Sequence, residues 1–260
     1  MTNERRHSAE ALSFLSSHSV GFFGYGHFGN LVHGYMPVIE SDVRICDPLC
    51  PADGKRFFSF EETAKCDVLV LSVPMREFEN VLRRVLACGG SGVLINVCSA
   101  QEHFVDLLKK LAPDRLWASF HGMFGPEGVK KREGNLEGLR VVATEHTLPI
   151  DVHEKVVTYF EGLGLQVVTM SSKEHDELLA ESLFLTQYIG RAAALAKFVR
   201  TSIGTVSFDL LMDAVEIVSH DKELFRDVVK FVRYCANVRR RFHEGLAKAD
   251  EEYEDALRAA

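Results

Sequence analysis

The sequence has 260 residues, of which 47% are hydrophobic and 26% charged, and its formal net charge is −7. This composition is typical of a globular protein with a sizeable core, and the acidic balance argues against a nucleic-acid-binding surface. No apolar run approaches the roughly 20 residues that a membrane-spanning helix needs.

Residues 1–17 lack the apolar stretch of a secretory signal, and we expect a short helix or a frayed tail there. The six cysteines show no CxxC pair and no zinc-ligand spacing, and several lie in apolar runs, where cysteine behaves as a small hydrophobe. These features predict a reducing, cytoplasmic location and no metal site.

A glycine-rich motif follows the first apolar run. Val20–Phe23 reads as a strand, and Gly24, Gly26 and Gly29 follow in the spacing G-x-G-x-x-G, before a helical pattern. Such a strand, turn and helix hold the pyrophosphate of a dinucleotide on the free N–H groups of the helix N-terminus. The alternative is a plain glycine turn between strand and helix. The loop residues expected to contact the nucleotide are Gly24, Tyr25, Gly26, His27, Phe28 and Gly29.

The second predicted strand, 41–47, ends in an acid. Asp47 stands 18 residues after Gly29 (47 − 29). A carboxylate at this place accepts the ribose hydroxyls of NAD and repels the additional phosphate of NADP. The sequence therefore predicts NAD as the cofactor, with NADP less favoured, and Arg44 is near enough in sequence to moderate that preference.

Strand and helix patterns alternate as far as residue 169. Further strands are predicted over 67–74, 92–99, 116–120, 139–144 and Gln166–Thr169, and helices over 76–86, Glu102–Leu111 and 149–163. Regular alternation predicts an α/β fold with a doubly wound, mainly parallel sheet of Rossmann type, forming a dinucleotide-binding domain over residues 1–170.

Several polar residues follow the strands of this sheet. In doubly wound sheets, ligands bind beyond the carboxyl ends of the strands. This rule brings Ser72, Val73, Pro74 and Cys98 to the cofactor crevice. Ser99 and His121 are expected to face the reacting end of the cofactor, where a histidine removes a hydroxyl proton and a serine orients that hydroxyl.

From residue 171 the pattern becomes helical. Ser171 and Glu174 form a predicted capping box, and the segment 178–199 is apolar over a wide arc. A helix of this kind is buried on several sides, which predicts an all-helical domain over residues 171–260 that forms a homodimer. Packing within one chain is the alternative.

Five stretches together resemble the prephenate/arogenate dehydrogenase family, and within it the plant-type arogenate enzymes: 21–29 (GFFGYGHFG), 96–102 (NVCSAQE), 121–127 (HGMFGPE), 174–176 (EHD) and 184–191 (FLTQYIGR). The resemblance implies NAD-dependent oxidative decarboxylation of prephenate or arogenate in tyrosine biosynthesis. It implies His121 as the proton acceptor and Ser99 as the group that binds the hydroxyl. The substrate-binding residues that it implies are Ser99, His121, Gly122, Met123, Glu127, Gln187 and Arg191.

The sequence also departs from the family pattern. Gly122 replaces the usual proline, Ala100 and Gln101 replace valine and lysine, and Gln187 replaces a histidine. The stretch 207–213 lacks the usual arginine, which makes Arg191 the best candidate for a substrate carboxylate. Two alternatives follow: a dehydrogenase of an amino-substituted prephenate in secondary metabolism, and a non-catalytic NAD-binding regulator.

Overall fold

The structure, a computed structural model, describes residues 17–219 and 222–259, so the expectation for residues 1–16 lies outside it. The chain divides into two compact units, Met1–His175 and Asp176–Ala260. The sequence-based boundary, between residues 170 and 171, lies just before the helix in which this division falls. Within the described ranges, no helix is both long and apolar enough to cross a membrane.

The first unit is built around a sheet of seven strands in the order β2-β1-β3-β4-β5-β6-β7. The strands are β1 (Val20–Phe23), β2 (Val43–Cys46), β3 (Val68–Leu71), β4 (Val93–Asn96), β5 (Trp117–Gly122), β6 (Arg140–His146) and β7 (Gln166–Thr169). Every pair of neighbours is parallel except β5 and β6. The predicted α/β fold with a doubly wound, mainly parallel sheet is confirmed.

Helices connect these strands. They are α1 (His27–Tyr35), α2 (Phe60–Thr63), α3 (Phe78–Ala87), α4 (Glu102–Leu111), α5 (Pro126–Lys131) and α6 (Ile150–Gly162). All four residues of β1 and all four of β3 are buried. Burial on both faces explains why these strands are continuous apolar runs rather than alternating ones.

The structure differs from the predicted elements in two ways. The strand predicted to end before His121 continues through that residue, because His121 and Gly122 pair with Val142 and Val141 of the antiparallel β6. The short helices α2 and α5 were not predicted. A single turn leaves too little periodicity in the sequence, although Ser59 and Glu62 form a complete capping box at α2.

In the described part of the second unit, all regular secondary structure is helical. The helix α7 (Ser172–Leu179), in which the unit boundary falls, continues as a π-helical stretch (Ala180–Phe184) and then as α8 (Leu185–Leu195). The helices α9 (Val206–Ser219), α10 (Lys222–Phe231) and α11 (Cys235–Ala259) follow. The segment predicted as helical to residue 199 stops earlier, because Lys197 adopts a left-handed φ of 61° just after α8.

Candidate active site

The last residues of β1, β2, β3 and β4 form one row, which continues through Ser119 of β5. Across the sheet, Cys46 is paired with Phe23, Phe23 with Leu71, Leu71 with Asn96, and Asn96 with Ser119. The residues that follow this row lie at one edge of the sheet. They include Gly24, Asp47 and Ser72 one position beyond it, His121 two positions beyond it and Ser99 three positions beyond it. Parallel pairing is thus what brings together side chains that are far apart in sequence.

The glycine turn between β1 and α1 is closely packed at two of its three glycines. Gly24 has a φ of +85°, and a Cβ there would lie 2.3 Å from the carbonyl oxygen of Ser72. A Cβ at Gly29 would lie 2.5 Å from the Gly24 carbonyl oxygen. Glycine is therefore required at Gly24 by backbone conformation and at both positions by the approach of neighbouring backbone.

Gly26 differs from these two glycines. A Cβ added there would meet no atom within 4 Å. Gly26 is also the N-cap of α1, and no side chain caps the free N–H groups of that helix end. An open approach to an uncapped helix N-terminus fits a pyrophosphate group, which the helix dipole and the free N–H groups stabilise.

Asp47 stands beside this turn immediately after β2. Its Oδ2 accepts a hydrogen bond from the Tyr25 backbone N–H at 2.7 Å, and its Oδ1 accepts one from the Leu49 N–H at 2.8 Å. A carboxylate has about four lone-pair sites, so two of them remain for ribose hydroxyls. Arg44 is held elsewhere: its guanidinium donates to the Glu62 carbonyl oxygen at 3.1 Å and lies over the Phe58 ring.

Arg56 is the cation that borders the glycine turn, and the sequence reasoning missed it. Its guanidinium lies 5.2 Å from the centroid of the Tyr25 ring and donates to the Tyr25 hydroxyl at 2.7 Å. That hydroxyl is also 2.6 Å from His33 Nδ1. Arg56 comes ten residues after β2 ends, in a loop dense in turn-forming residues, so only the folded chain reveals its proximity to Tyr25.

His121 is buried, with 6% of its surface exposed, and its Nδ1 lies 2.9 Å from Nε2 of His175. Burial, and secondarily the neighbouring His175, lowers the pKa of His121 from 6.5 to about 3. The ring is therefore neutral at physiological pH. His175 is 2% exposed and belongs to the same compact unit as His121.

The depressed pKa of His121 makes stability depend on pH. Between pH 6.5 and about 3, the unfolded chain binds a proton at this ring that the folded chain does not, so stability falls as the pH is lowered through this window. On acidification, the free energy of unfolding of His121→Gln should fall less than that of the wild type. The difference should be up to about 1.4 kcal/mol for each pH unit within this window. The measurement is urea unfolding of the wild type and the variant at pH 7 and pH 5.

The exposed His103 on α4 provides the matched control. His103→Gln should leave the acid-induced loss of stability at its wild-type size. An identical pH dependence for the wild type and His121→Gln would show that His121 titrates normally in the folded protein. The buried His153, whose pKa is also lowered by burial, is present in all three proteins and does not affect the comparison.

Ser99 lies in the turn between β4 and α4 and is half-buried. Among the described residues, its hydroxyl has no hydrogen-bond partner, which leaves it able to bind a ligand. Cys98, just before it, is 5% exposed and donates its backbone N–H to Asn96 Oδ1 at 2.9 Å. The thiol of Cys98 is therefore largely covered.

The remaining predicted residues of the first unit are distributed around the same strand ends. Ser72 and Val73 are half-buried, and Pro74 is exposed just before a short 3-10 helix. Met123 donates its backbone N–H to the Arg140 carbonyl oxygen at 2.8 Å. Glu127 is exposed in the first turn of α5.

Two residues that the resemblance implied lie in the helical unit. Gln187 is 4% exposed, and its Oε1 has no hydrogen-bond partner in the described part of the chain. The guanidinium of Arg191 lies 4.6 Å from the centroid of the Phe225 ring. Three other arginines of the helical unit have partners at the surface: Arg200 with Asp209, Asp213 and Glu216, Arg226 with Glu223, and Arg233 with the Tyr234 ring.

The lining of an apolar cavity of about 140 Å³ includes Phe28 and Gly122 but not Asp47, Ser99 or His121. Side chains of α1, β3, β4 and α6 form most of its lining, with Val70, Ile95, Val156 and Phe160 among them. Burying an unpaired carboxylate in such surroundings costs several kcal/mol or more. The cavity is therefore unsuited to an anionic substrate, and the polar edge of the sheet is the candidate active site.

A mainly parallel sheet whose first βα turn carries three glycines, followed by an acid at the end of the second strand, defines a Rossmann-type nucleotide-binding unit. Residues 54–169 match the family model described as "Prephenate dehydrogenase, nucleotide-binding domain". Over these residues, which are less than half of the chain, the sequence is similar to the nucleotide-binding domain of that family.

Two curated plant proteins are similar in sequence to this chain. Arogenate dehydrogenase 2, chloroplastic, of Arabidopsis thaliana is 28% identical over 226 residues, which are 81% of this chain and 63% of that protein. Arogenate dehydrogenase 1, chloroplastic, of the same plant is 29% identical over 163 residues, which are 60% of this chain and 25% of that protein. The chain thus spans less than two thirds of either relative.

Two solved structures share the fold over nearly the whole chain. Prephenate dehydrogenase from A. aeolicus, in complex with hydroxyphenyl propionate and NAD+, has a TM-score of 0.68 at 19% identity, covering 92% of this chain and 94% of its own. Synechocystis arogenate dehydrogenase has a TM-score of 0.61 at 13% identity, covering 92% of this chain and 93% of its own.

Proposed function

We propose that this protein is an NAD-dependent dehydrogenase that oxidatively decarboxylates prephenate or arogenate in tyrosine biosynthesis. The observation that carries the proposal is the presence of a neutral, buried histidine and a serine hydroxyl at the sheet edge that also carries the glycine turn. The family match over residues 54–169 supports the same reaction class.

The cofactor is held by the glycine turn and Asp47. Gly26 leaves room for the pyrophosphate at the N-terminus of α1, and Asp47 accepts the ribose hydroxyls. Ser72, Val73, Pro74 and Cys98 complete the crevice. When bound, NAD+ supplies the hydride acceptor, and the protein supplies position and charge.

His121 acts as the base. With its Nδ1–H donating to His175 Nε2, the lone pair of His121 Nε2 is available for the hydroxyl proton of the substrate. A substrate carboxylate nearby raises the pKa of this ring, because an anion favours the imidazolium. Ser99 binds the hydroxyl and orients it.

The reaction balances without another reagent. The ring carbon that bears the hydroxyl loses a hydride, and the hydroxyl loses its proton to His121. The bond to the ring carboxylate breaks, its electron pair enters the ring, and carbon dioxide leaves. The oxygen of the aromatised product regains the proton from His121.

Gln187 and Arg191 remain proposed ligands of the substrate, with Gly122, Met123 and Glu127 proposed for the pocket near His121. Arg191 is a suitable partner for a carboxylate, because guanidinium groups bind carboxylates through two parallel hydrogen bonds. We also propose that the 1–170 segment is the dinucleotide-binding domain and that the 171–260 segment contributes substrate contacts and dimerisation.

The proposed homodimer is supported by exposed apolar side chains in the helical unit. Leu195, Phe198, Ile203 and Val206 are 63–89% exposed in the single chain. An apolar surface of this kind is typical of protein–protein contacts. A second copy of this chain is the proposed partner. All six cysteines are free thiols, which supports a reducing cytoplasmic location.

The test of this function is turnover. Prephenate and arogenate are each offered with NAD and with NADP, and reduced nicotinamide is followed by its absorbance. We expect turnover with one of the two substrates and a preference for NAD. Binding of NAD without turnover of either substrate would favour an amino-substituted substrate or a non-catalytic regulator.

The cofactor preference gives a separate prediction. Asp47→Asn keeps the shape of the side chain and an oxygen for one of the two N–H groups, those of Tyr25 and Leu49, that its carboxylate accepts. It removes the charge that repels a 2′-phosphate. We expect the ratio of NADP affinity to NAD affinity to rise about tenfold or more, which corresponds to about 1.4 kcal/mol. Calorimetric titration of both cofactors measures it. An unchanged ratio would remove Asp47 from the ribose site.

A further inference from the structure

A closed ring of hydrogen bonds lies behind the candidate active site. Asn96 Nδ2 donates to Ser119 Oγ at 2.7 Å, and Ser119 Oγ donates to Gln101 Oε1 at 2.5 Å. Gln101 Nε2 donates to the Cys98 carbonyl oxygen at 2.7 Å, and the Cys98 N–H donates to Asn96 Oδ1 at 2.9 Å. The chain of donors and acceptors thus returns to its starting residue.

The ring is inaccessible to water. Asn96 and Gln101 are 0% exposed, and Ser119 is 1% exposed. Thr144 adds a hydrogen bond from outside the ring, donating its Oγ1 to Gln101 Oε1 at 2.7 Å. Because buried polar groups without partners are costly, loss of one member leaves the others unsatisfied.

The orientation of Gln101 is fixed by its neighbours. Its Oε1 accepts hydrogen bonds from the hydroxyl groups of Ser119 and Thr144, and its Nε2 donates one to the Cys98 carbonyl oxygen. Turning the amide over would place two oxygens against each other at Cys98. The ring therefore admits only one arrangement of this side chain.

The ring joins the two segments that carry the proposed reacting groups. Ser99 follows Cys98 directly, and His121 comes two residues after Ser119 on the same strand. We propose that this ring is a positioning device that sets Ser99 relative to His121, and that Gln101 is the residue that closes it. The inference rests on the proposed function for the reaction it serves.

Gln101→Met tests the proposal because methionine has a similar volume and makes none of these bonds. We expect kcat to fall about 10²-fold, since small displacements of reacting groups have effects of this size. The KM for substrate should change less than about threefold, and the Kd for NAD should change less than kcat does, because Cys98 is the one ring member proposed to border the cofactor crevice. Thr144→Val, which removes a bond outside the ring, should keep kcat within about threefold of the wild type.

Gln101→Glu provides a readout that a merely structural role would not change. Its carboxyl group must be protonated to donate to the Cys98 carbonyl oxygen, and burial raises the pKa of such a group. We expect the kcat of this variant, relative to wild type, to recover as the pH is lowered. The proposal would be overturned if the ratio of the Gln101→Glu kcat to the wild-type kcat did not change with pH and the kcat of Gln101→Met stayed near its wild-type value.

Hydrogen exchange separates this proposal from the proposed function. In Gln101→Met, the backbone amides of residues 98–100 should exchange at least tenfold faster than in the wild type, and in Thr144→Val they should not. If the wild type turns over neither substrate, the proposed function is wrong. If the amides of residues 98–100 also exchange at the wild-type rate in Gln101→Met, the proposed role of the ring is wrong as well. If Gln101→Met does not fold, Ser119→Ala breaks the same ring and is measured in the same way.

Discussion

Replacing His121 with alanine should lower kcat by about 10²–10⁴-fold, the range that general base catalysis contributes. The dissociation constant for NAD should stay within about threefold of the wild type, because His121 lies on β5 and the glycine turn follows β1. Steady-state turnover and cofactor titration measure the two effects. A loss of NAD binding equal to the loss of kcat would show that the substitution disturbs the fold rather than the chemistry.

The contact with His175 refines this expectation. Only one arrangement of protons leaves His121 Nε2 free to accept a proton, and in it His121 Nδ1–H donates to His175 Nε2. His175→Gln can keep an acceptor there and should retain more activity than His175→Leu. His153→Gln is the control: it removes another buried imidazole, one that stacks on His146, and should leave kcat near its wild-type value.

The main strands were predictable because burial on both faces gives them continuous apolar sequences. Val68–Leu71 is an example, buried at every position. Helix α4 was predicted with the bounds observed, Glu102–Leu111, because its apolar residues recur at helical spacing. The turn around Gly24 was predictable for a different reason. Its positive φ and the close approach of backbone at Gly24 and Gly29 require glycine, so the position of the turn is visible in the sequence as glycine spacing.

Contacts between side chains of different strands were beyond sequence reasoning. Ser119 and Thr144 stand in apolar strands, where a single hydroxyl is commonplace, and nothing local indicates that both donate to Gln101. The extension of β5 through His121 was also hidden, because it depends on antiparallel pairing with β6. The sequence indicated only that polar side chains in buried strands need hydrogen-bond partners, without identifying those partners.

Gly24 and Gly26 are both glycines of the same turn, yet the structure gives them different roles. At Gly24, a positive φ and the Ser72 carbonyl oxygen at 2.3 Å from a Cβ exclude any side chain from the folded protein itself. At Gly26 the φ is −66°, an ordinary value, and the space around a Cβ is open. The folded chain alone therefore does not require glycine at Gly26, and the requirement there would come from a ligand.

Gly26→Ala should consequently change the free energy of unfolding by less than about 1 kcal/mol, since alanine adopts this conformation without strain. It should weaken NAD binding about 100-fold or more, because the added methyl group occupies the approach of the pyrophosphate. Urea unfolding and cofactor titration measure the two effects. Gly24→Ala should instead lower stability and binding together.

Gly125→Ala is the matched control for Gly26→Ala. Gly125 is likewise the N-cap of a helix, α5, and a Cβ there also meets nothing within 4 Å. Its substitution should have the same small effect on stability and none on NAD binding. Equal NAD affinity in Gly26→Ala and Gly125→Ala would mean that the pyrophosphate does not approach α1 at Gly26. The glycine spacing would then reflect only the packing of Gly24 and Gly29, which is the plain glycine turn that the sequence left open.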